Sequence, residues 1–224
     1  MLDQLIIENK YSLDDFDFSM KERSIGMPEK KEIKDTVPFS NKTYDFSAID
    51  GEIYWEERKL EYIFECIKGS PAELEEAKTV FSNWVMSVQE AKIYDPYIQG
   101  YHFVGTFDSI KYSDEKDTEK TTATVTFMAY PYKISNLLKE YNFSLAISGE
   151  VSGTVLNNSS HRMIPTINSD VSIVIEIDNT SYAIPSGETT DDALMLPVGT
   201  TNLVIKNSEA VAGNVKISFY EEVF

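Results

Sequence analysis

Apolar and polar residues alternate along most of this chain, and one stretch alone departs from that period in favour of a helix. Ile53-Tyr-Trp-Glu-Glu-Arg-Lys-Leu-Glu-Tyr-Ile-Phe-Glu-Cys-Ile67 reads as one or two strands, residues 101–112 as another, and Thr121-Thr-Ala-Thr-Val-Thr-Phe-Met-Ala-Tyr130 as a strand rich in β-branched residues. Ser113-Asp-Glu-Lys-Asp-Thr-Glu-Lys120 separates the last two, so they are expected to form a hairpin with an exposed acidic tip. The helix signal is Ser70-Pro71-Ala72-Glu73: an N-cap, a proline at the first helical position, and the glutamate of a capping box. Leu74, Ala77, Val80, Phe81, Trp84, Val85 and Val88 continue it at helical spacing. The pattern predicts a helix over about residues 71–91 packed on a sheet, with Glu75, Glu76, Lys78, Asn83 and Glu90 facing water.

The aromatic residues divide the chain. Of 27, 21 lie before residue 135, and Ser, Thr and Asn take their place afterwards. The later region repeats short strands, at 151–156, 163–167, 172–177, 181–184, 202–205 and 214–220. They are separated by turn chemistry such as Asn157-Asn-Ser-Ser160, Asp178-Asn179, Pro185-Ser-Gly187 and Pro197-Val-Gly199. Evenly spaced short strands predict an antiparallel β-sandwich. The fold class is therefore mainly β, with domains expected at 1–138 and 139–224.

Charge and chemistry narrow the function. Twenty Lys and Arg against 37 Asp and Glu leave −17, shared by both regions, which argues against counterion-release binding of nucleic acid and against anionic membrane surfaces. The opening residues lack a signal-peptide pattern, and no apolar run is long enough for a spanning helix. The single cysteine, Cys66, reads as a core residue. His102 lies in a strand, and His161 lies in the loop Asn158-Ser-Ser-His-Arg162 without the arrangement of a triad. There is no P-loop or G-x-G-x-x-G, and Asp114-Glu-Lys-Asp-Thr-Glu119 lacks the glycine and alternating oxygens of a calcium loop. No catalytic residue, cofactor or metal is expected. A carbohydrate-binding module remains as the alternative, with His161, Arg162 and Tyr182 as the side chains that could line its site.

The order of parts has a counterpart among known families. A Pro28-to-Pro38 segment centred on Lys30-Lys-Glu-Ile-Lys34 precedes a strand pair, one helix and a hairpin ending in Ala129-Tyr-Pro-Tyr-Lys133, and a small β-sandwich follows. Val37-Pro38-Phe39 before Tyr44-Asp45-Phe46, Ile164-Pro165-Thr166-Ile167, Leu203-Val-Ile205 and Gly213-Asn-Val-Lys-Ile-Ser218 keep the same order. This resembles the distal tail proteins of siphophages that infect Gram-positive bacteria, over essentially the whole chain. Pro131, Tyr132 and Lys133 match the aromatic-Pro-Tyr-Lys exit of that family's N-terminal domain. One departure is Phe39-Ser-Asn-Lys-Thr43, which stands where many relatives carry a glycine-containing stretch.

The resemblance implies a structural virion protein at the tail tip, synthesised in the host cytoplasm. It implies a β-barrel-like N-terminal domain with one helix, assembled as a hexameric ring, and a galectin-like C-terminal domain. The implied partners are the tail tube, the tail-associated fibre or lysin protein, and receptor-binding or baseplate proteins, with DNA passing through without specific binding. Residues 26–42, bounded by prolines, are expected to form an arm that clasps the adjacent subunit through Lys30, Lys31, Lys34 and Pro38.

Overall fold

The computed structural model describes residues 3–36, 38, 39, 41–48, 51–115 and 119–224. Val37 of the Val-Pro-Phe match, Ser40, and residues 116–118 of the acidic tip lie outside the described residues. The chain divides into two compact units, Met1–Lys133 and Ile134–Phe224.

The first unit contains β1 (Ile6–Ile7), β2 (Lys10–Tyr11), β3 (Ser19–Ile25), β4 (Lys34–Thr36), β5 (Thr43–Asp45), β6 (Arg58–Ile67), α1 (Pro71–Met86), β7 (Ala91–Tyr94), β8 (Tyr101–Asp114) and β9 (Lys120–Ala129). Seven of its strands form one antiparallel sheet in the order β2-β1-β7-β8-β9-β6-β3. β8 and β9 are the expected hairpin, offset once by a bulge between Phe107 and Ser109. The resemblance implied a barrel-like unit, but the sheets do not close into a barrel. The end strand β2 holds only two residues and offers too short an edge for closure.

Alternation sets the core. Along β6, Arg58, Leu60, Tyr62, Phe64 and Cys66 all point inward and are buried. Burial also pushes the Cys66 thiol pKa up, as expected of an inert core thiol. Helix α1 joins this core through Phe81, which meets Phe64 of the row. Its N-cap is as predicted, with the Glu73 N–H donating to the Ser70 hydroxyl at 3.3 Å and the Gly69 N–H to the Glu73 carboxylate at 3.1 Å. Phe81 is fully buried, stacked 3.9 Å from Phe18 and edge-on to Phe64, while Trp84 stacks at 4.3 Å on Phe16.

Two helix expectations are corrected. The helix ends at Met86, five residues early, because Ser87 caps it: its hydroxyl donates to the Trp84 carbonyl at 2.6 Å. Val88 stays buried but belongs to the turn that leads into β7, where Glu90 takes a left-handed φ of 47° and the Val88 carbonyl accepts the Phe107 N–H. Lys78, expected in water, is buried, and its ammonium lies 2.6 Å from Asp114 and 2.8 Å from Glu75. Asp114 sits on β8, so a contact remote in sequence overrides the local pattern. Val80 in turn is exposed.

The second unit contains β10 (Lys133–Leu145, its first residue counted with the first unit), β11 (Glu150–Asn157), β12 (Thr166–Ser169), β13 (Ile173–Ile177), β14 (Thr180–Ile184), β15 (Gly187–Thr190), β16 (Gly199–Asn207) and β17 (Gly213–Val223). They form two four-stranded layers, β15-β12-β17-β10 and β11-β16-β13-β14. Ile167, Val215, Ile217 and Phe219 from the first layer share one core with Val155, Ile173, Ile175, Leu203 and Ile205 from the second. Asp178 and Asn179, with φ of 49° and 65°, make the two-residue turn that joins β13 to β14. The expected strand 163–167 begins only at Thr166, since Pro165 has no N–H to donate; Met163 pairs singly with Leu196. With 55% of residues in strands and 7% in helix, the chain is mainly β as expected.

Candidate functional site

The described residues between Gly26 and Glu56 lie outside the core cluster of the first unit. Their base is a pair of backbone bonds, from Lys31 N–H to the Tyr54 carbonyl and from Glu56 N–H to the Glu29 carbonyl, each 2.8 Å, around a Lys30–Trp55 bridge. Beyond it β4 and β5 pair with Lys34 opposite Asp45, Asp35 opposite Tyr44 and Thr36 opposite Thr43. The Phe46 N–H donates to the Ile33 carbonyl at 2.8 Å, and the Ile33 N–H to the Ser47 hydroxyl at 2.8 Å, which continues the ladder by one side chain.

This ribbon is two-faced. Because side chains alternate along a strand, Ile33, Tyr44 and Phe46 share one face, with the Tyr44 and Phe46 rings stacked at 6.4 Å. Lys34, Asp45, Thr36 and Thr43 share the other. All three apolar residues are exposed, Ile33 at 50%, Tyr44 at 39% and Phe46 at 41%, and Met27, Phe39, Ile53 and Tyr54 around them are exposed as well. An isolated two-stranded ribbon is marginal in water, and this one leaves a cluster of apolar side chains open to solvent. Two hydrogen bonds from Ser47 hold the Asp45 carboxyl pKa below its ordinary value, and the nearby Glu32 raises that of Lys34, at 2.7 Å.

The structure places Lys30, Lys31, Lys34 and Pro38 together on this ribbon, all exposed, and Phe39 at its turn takes a left-handed φ of 66° where a glycine-containing stretch was the family pattern. The ribbon runs beyond the expected 26–42 segment, to Glu56, because the returning strand β5 pairs with β4. The apolar face was not singled out from sequence, although Ile33, Tyr44 and Phe46 were all in view. Their spacing across a turn becomes an alternation only once the register is known.

Pro131, Tyr132 and Lys133 lie elsewhere, where β9 ends. Pro131 and Tyr132 are buried, Tyr132 edge-on to Tyr130 at 5.5 Å, and Lys133 is half-buried. Burial and the Arg58 charge push the Lys133 pKa down. A satisfied ionic cluster sits elsewhere in the unit: Asp95, wholly buried, accepts from Arg23 at 2.6 Å and from the Tyr97 N–H at 2.9 Å, and the Arg23 guanidinium lies over the Tyr97 ring. Burial, with the Asp95 charge, drives the Tyr62 phenol pKa well up. Its groups have partners, so it reads as a structural tie.

The residues of the carbohydrate alternative are not gathered. His161 follows β11, one edge strand of its layer, and contacts Glu222 of β17 at 2.8 Å, whereas Tyr182 lies on β14, the opposite edge strand of that layer. A groove of about 670 Å³ does open on the outer face of β11, β16 and β13, lined by Ser152, Thr154, Glu176, Asp178, Asn179 and Asn202 among others. None of the three is in that lining, and no aromatic ring is available there for a sugar to stack on. Among the described residues no group of His, Cys, Asp and Glu is arranged to hold a metal ion, and no helix is long and apolar enough to cross a membrane.

The fold of this chain is that of a phage tail hub protein: it is similar to the crystal structure of SPP1 Dit, described as a paradigm of the hub adsorption apparatus in Gram-positive infecting phages. That likeness has a TM-score of 0.69 at 13% identity and covers 98% of this chain and 99% of that one. The phage P2 baseplate in its activated conformation with calcium is similar at a TM-score of 0.42 and 9% identity, over 97% of this chain and 98% of that chain. No family model matches the sequence, and no curated protein matches it.

Proposed function

We propose that this chain is a distal tail protein: a structural hub at a phage tail tip, in which six copies form a ring joining the tail tube to the baseplate and its receptor-binding proteins. The observation that carries this reading is a shared fold along the full length of both chains with SPP1 Dit. The ribbon supplies the physical means. Its Ile33, Tyr44 and Phe46 face would lie against the neighbouring subunit, with the exposed lysines Lys30 and Lys31 at its base, and Lys34 on the reverse face, set to meet acids around that contact. The C-terminal sandwich, galectin-like in this reading, would carry the outward partners.

The charge fits such a role. Six copies at −17 bring about −102 to a ring, and a negative lumen repels phosphates, so DNA passes without being held. Assembly then has to come from apolar burial. Replacing residues 31–54 by a short Gly-Ser linker and measuring mass by light scattering tests this: the full chain is expected as a hexamer and the shortened one as a monomer. A hexamer of unchanged mass without the ribbon would remove the clasp. Saturable binding on a glycan array would instead favour the carbohydrate-binding alternative.

A further inference from the structure

Arg58 is the one charged residue in the core-facing row of β6. It is 2% exposed, and its Nε and Nη2 have no hydrogen-bond partner. Its guanidinium lies 5.5 Å from the centre of the Phe103 ring, which packs against it but cannot accept its in-plane N–H groups. Arg58 is register partner to Ala129, the last residue of β9, and Ala129 is followed four residues later by Lys133. The chain turns through Pro131 to Lys133, which lies near enough for the Arg58 charge to act on its ammonium. Neither forms an ion pair among the described residues, in a chain where acids outnumber bases almost two to one.

This arrangement is costly as it stands. A buried guanidinium without a partner is unfavourable, and unlike a lysine it cannot relieve the cost by shedding its proton. Lys133 shows the effect of the missing counter-charge: burial first, then Arg58, lower its pKa. The Arg23–Asp95 pair of the same unit shows what compensation looks like, with a carboxylate at 2.6 Å.

We propose that Arg58 and Lys133 form an oxyanion-binding site, which takes a carboxylate or phosphate group between the guanidinium edge and the ammonium. Such a group satisfies Nε and Nη2 together, the paired geometry in which arginine binds planar oxyanions. It has two sources: an Asp or Glu side chain of a second copy of this chain, or a free anion.

Calorimetric titration of the full chain with inorganic phosphate, at ionic strength held constant with chloride, tests the site. Saturable binding is expected, weakened at least about tenfold in Lys133→Met and lost in Arg58→Met. Lys133 is half-buried, so its variant keeps the test open should Arg58→Met fail to fold. Sedimentation velocity separates the sources. If a second copy supplies the carboxylate, phosphate competes with self-association and both variants associate less. If the anion is free, association is unchanged while phosphate binding remains. Absence of phosphate binding by the parent chain together with unaltered association in both variants overturns the proposal, as does equal phosphate binding by parent and variants.

Discussion

The ribbon makes the sharpest quantitative prediction. Ile33 and Phe46 stand opposite each other at the end of the β4–β5 pair, and 50% and 41% of their surfaces remain open to solvent. Complete burial of an isoleucine or phenylalanine side chain is worth about 1.5–3 kcal/mol, so the part still open to solvent is worth roughly 1 kcal/mol for each. The double substitution Ile33→Ser/Phe46→Ser should therefore cost about 2 kcal/mol at every subunit contact, close to a 30-fold loss in the association constant. The part already buried lies within the ribbon, outside the core cluster of the unit, so unfolding of that core should shift by no more than about 0.5 kcal/mol. Mass photometry over a dilution series reads the first quantity and thermal unfolding the second. Unchanged assembly with a fully folded double variant would refute the reasoning. Unfolding of the variant would equally refute it, because it would show that the pair supports its own subunit.

Other expectations follow from packing and charge. Phe81→Ala empties the centre of the aromatic cluster and should cost about 3–5 kcal/mol, seen as earlier unfolding of the N-terminal unit in denaturant. A Cβ at Gly153 would lie 2.2 Å from the Phe143 ring, so Gly153→Ala should destabilise the sandwich by about 1–3 kcal/mol, read by thermal unfolding. Asp114 and Glu65 have pKa values lowered mainly by hydrogen bonds from Lys78 and Lys120. A carboxylate lowered in the folded state adds stability that is present above its unfolded pKa and is lost as pH falls through the folded one. Stability should therefore decline below pH about 4, and Asp114→Asn should flatten that decline in acid-unfolding curves.

Where sequence and structure part, distance along the chain is the reason. The start of α1 was readable because Ser70, Pro71 and Glu73 act within one turn, while its end was not, since Val88 keeps the helical spacing after the backbone has left the helix. Lys78 was assigned to solvent because its partner Asp114 arrives from β8. The loss of aromatic residues after residue 134 and the polar Lys139-Glu-Tyr-Asn142 point to a junction there, whereas β10 runs through those positions as one strand. The Lys30, Lys31, Lys34 and Pro38 segment was visible as an arm from its prolines and missing core period. Its apolar face and its second strand depend on cross-strand register, as does the meeting of Arg58 with Lys133.

Negative-stain imaging of the purified full chain tests the hub reading most directly. Six-fold rings with a central hole are the predicted result, and discrete single-copy particles at concentrations well above micromolar would contradict it.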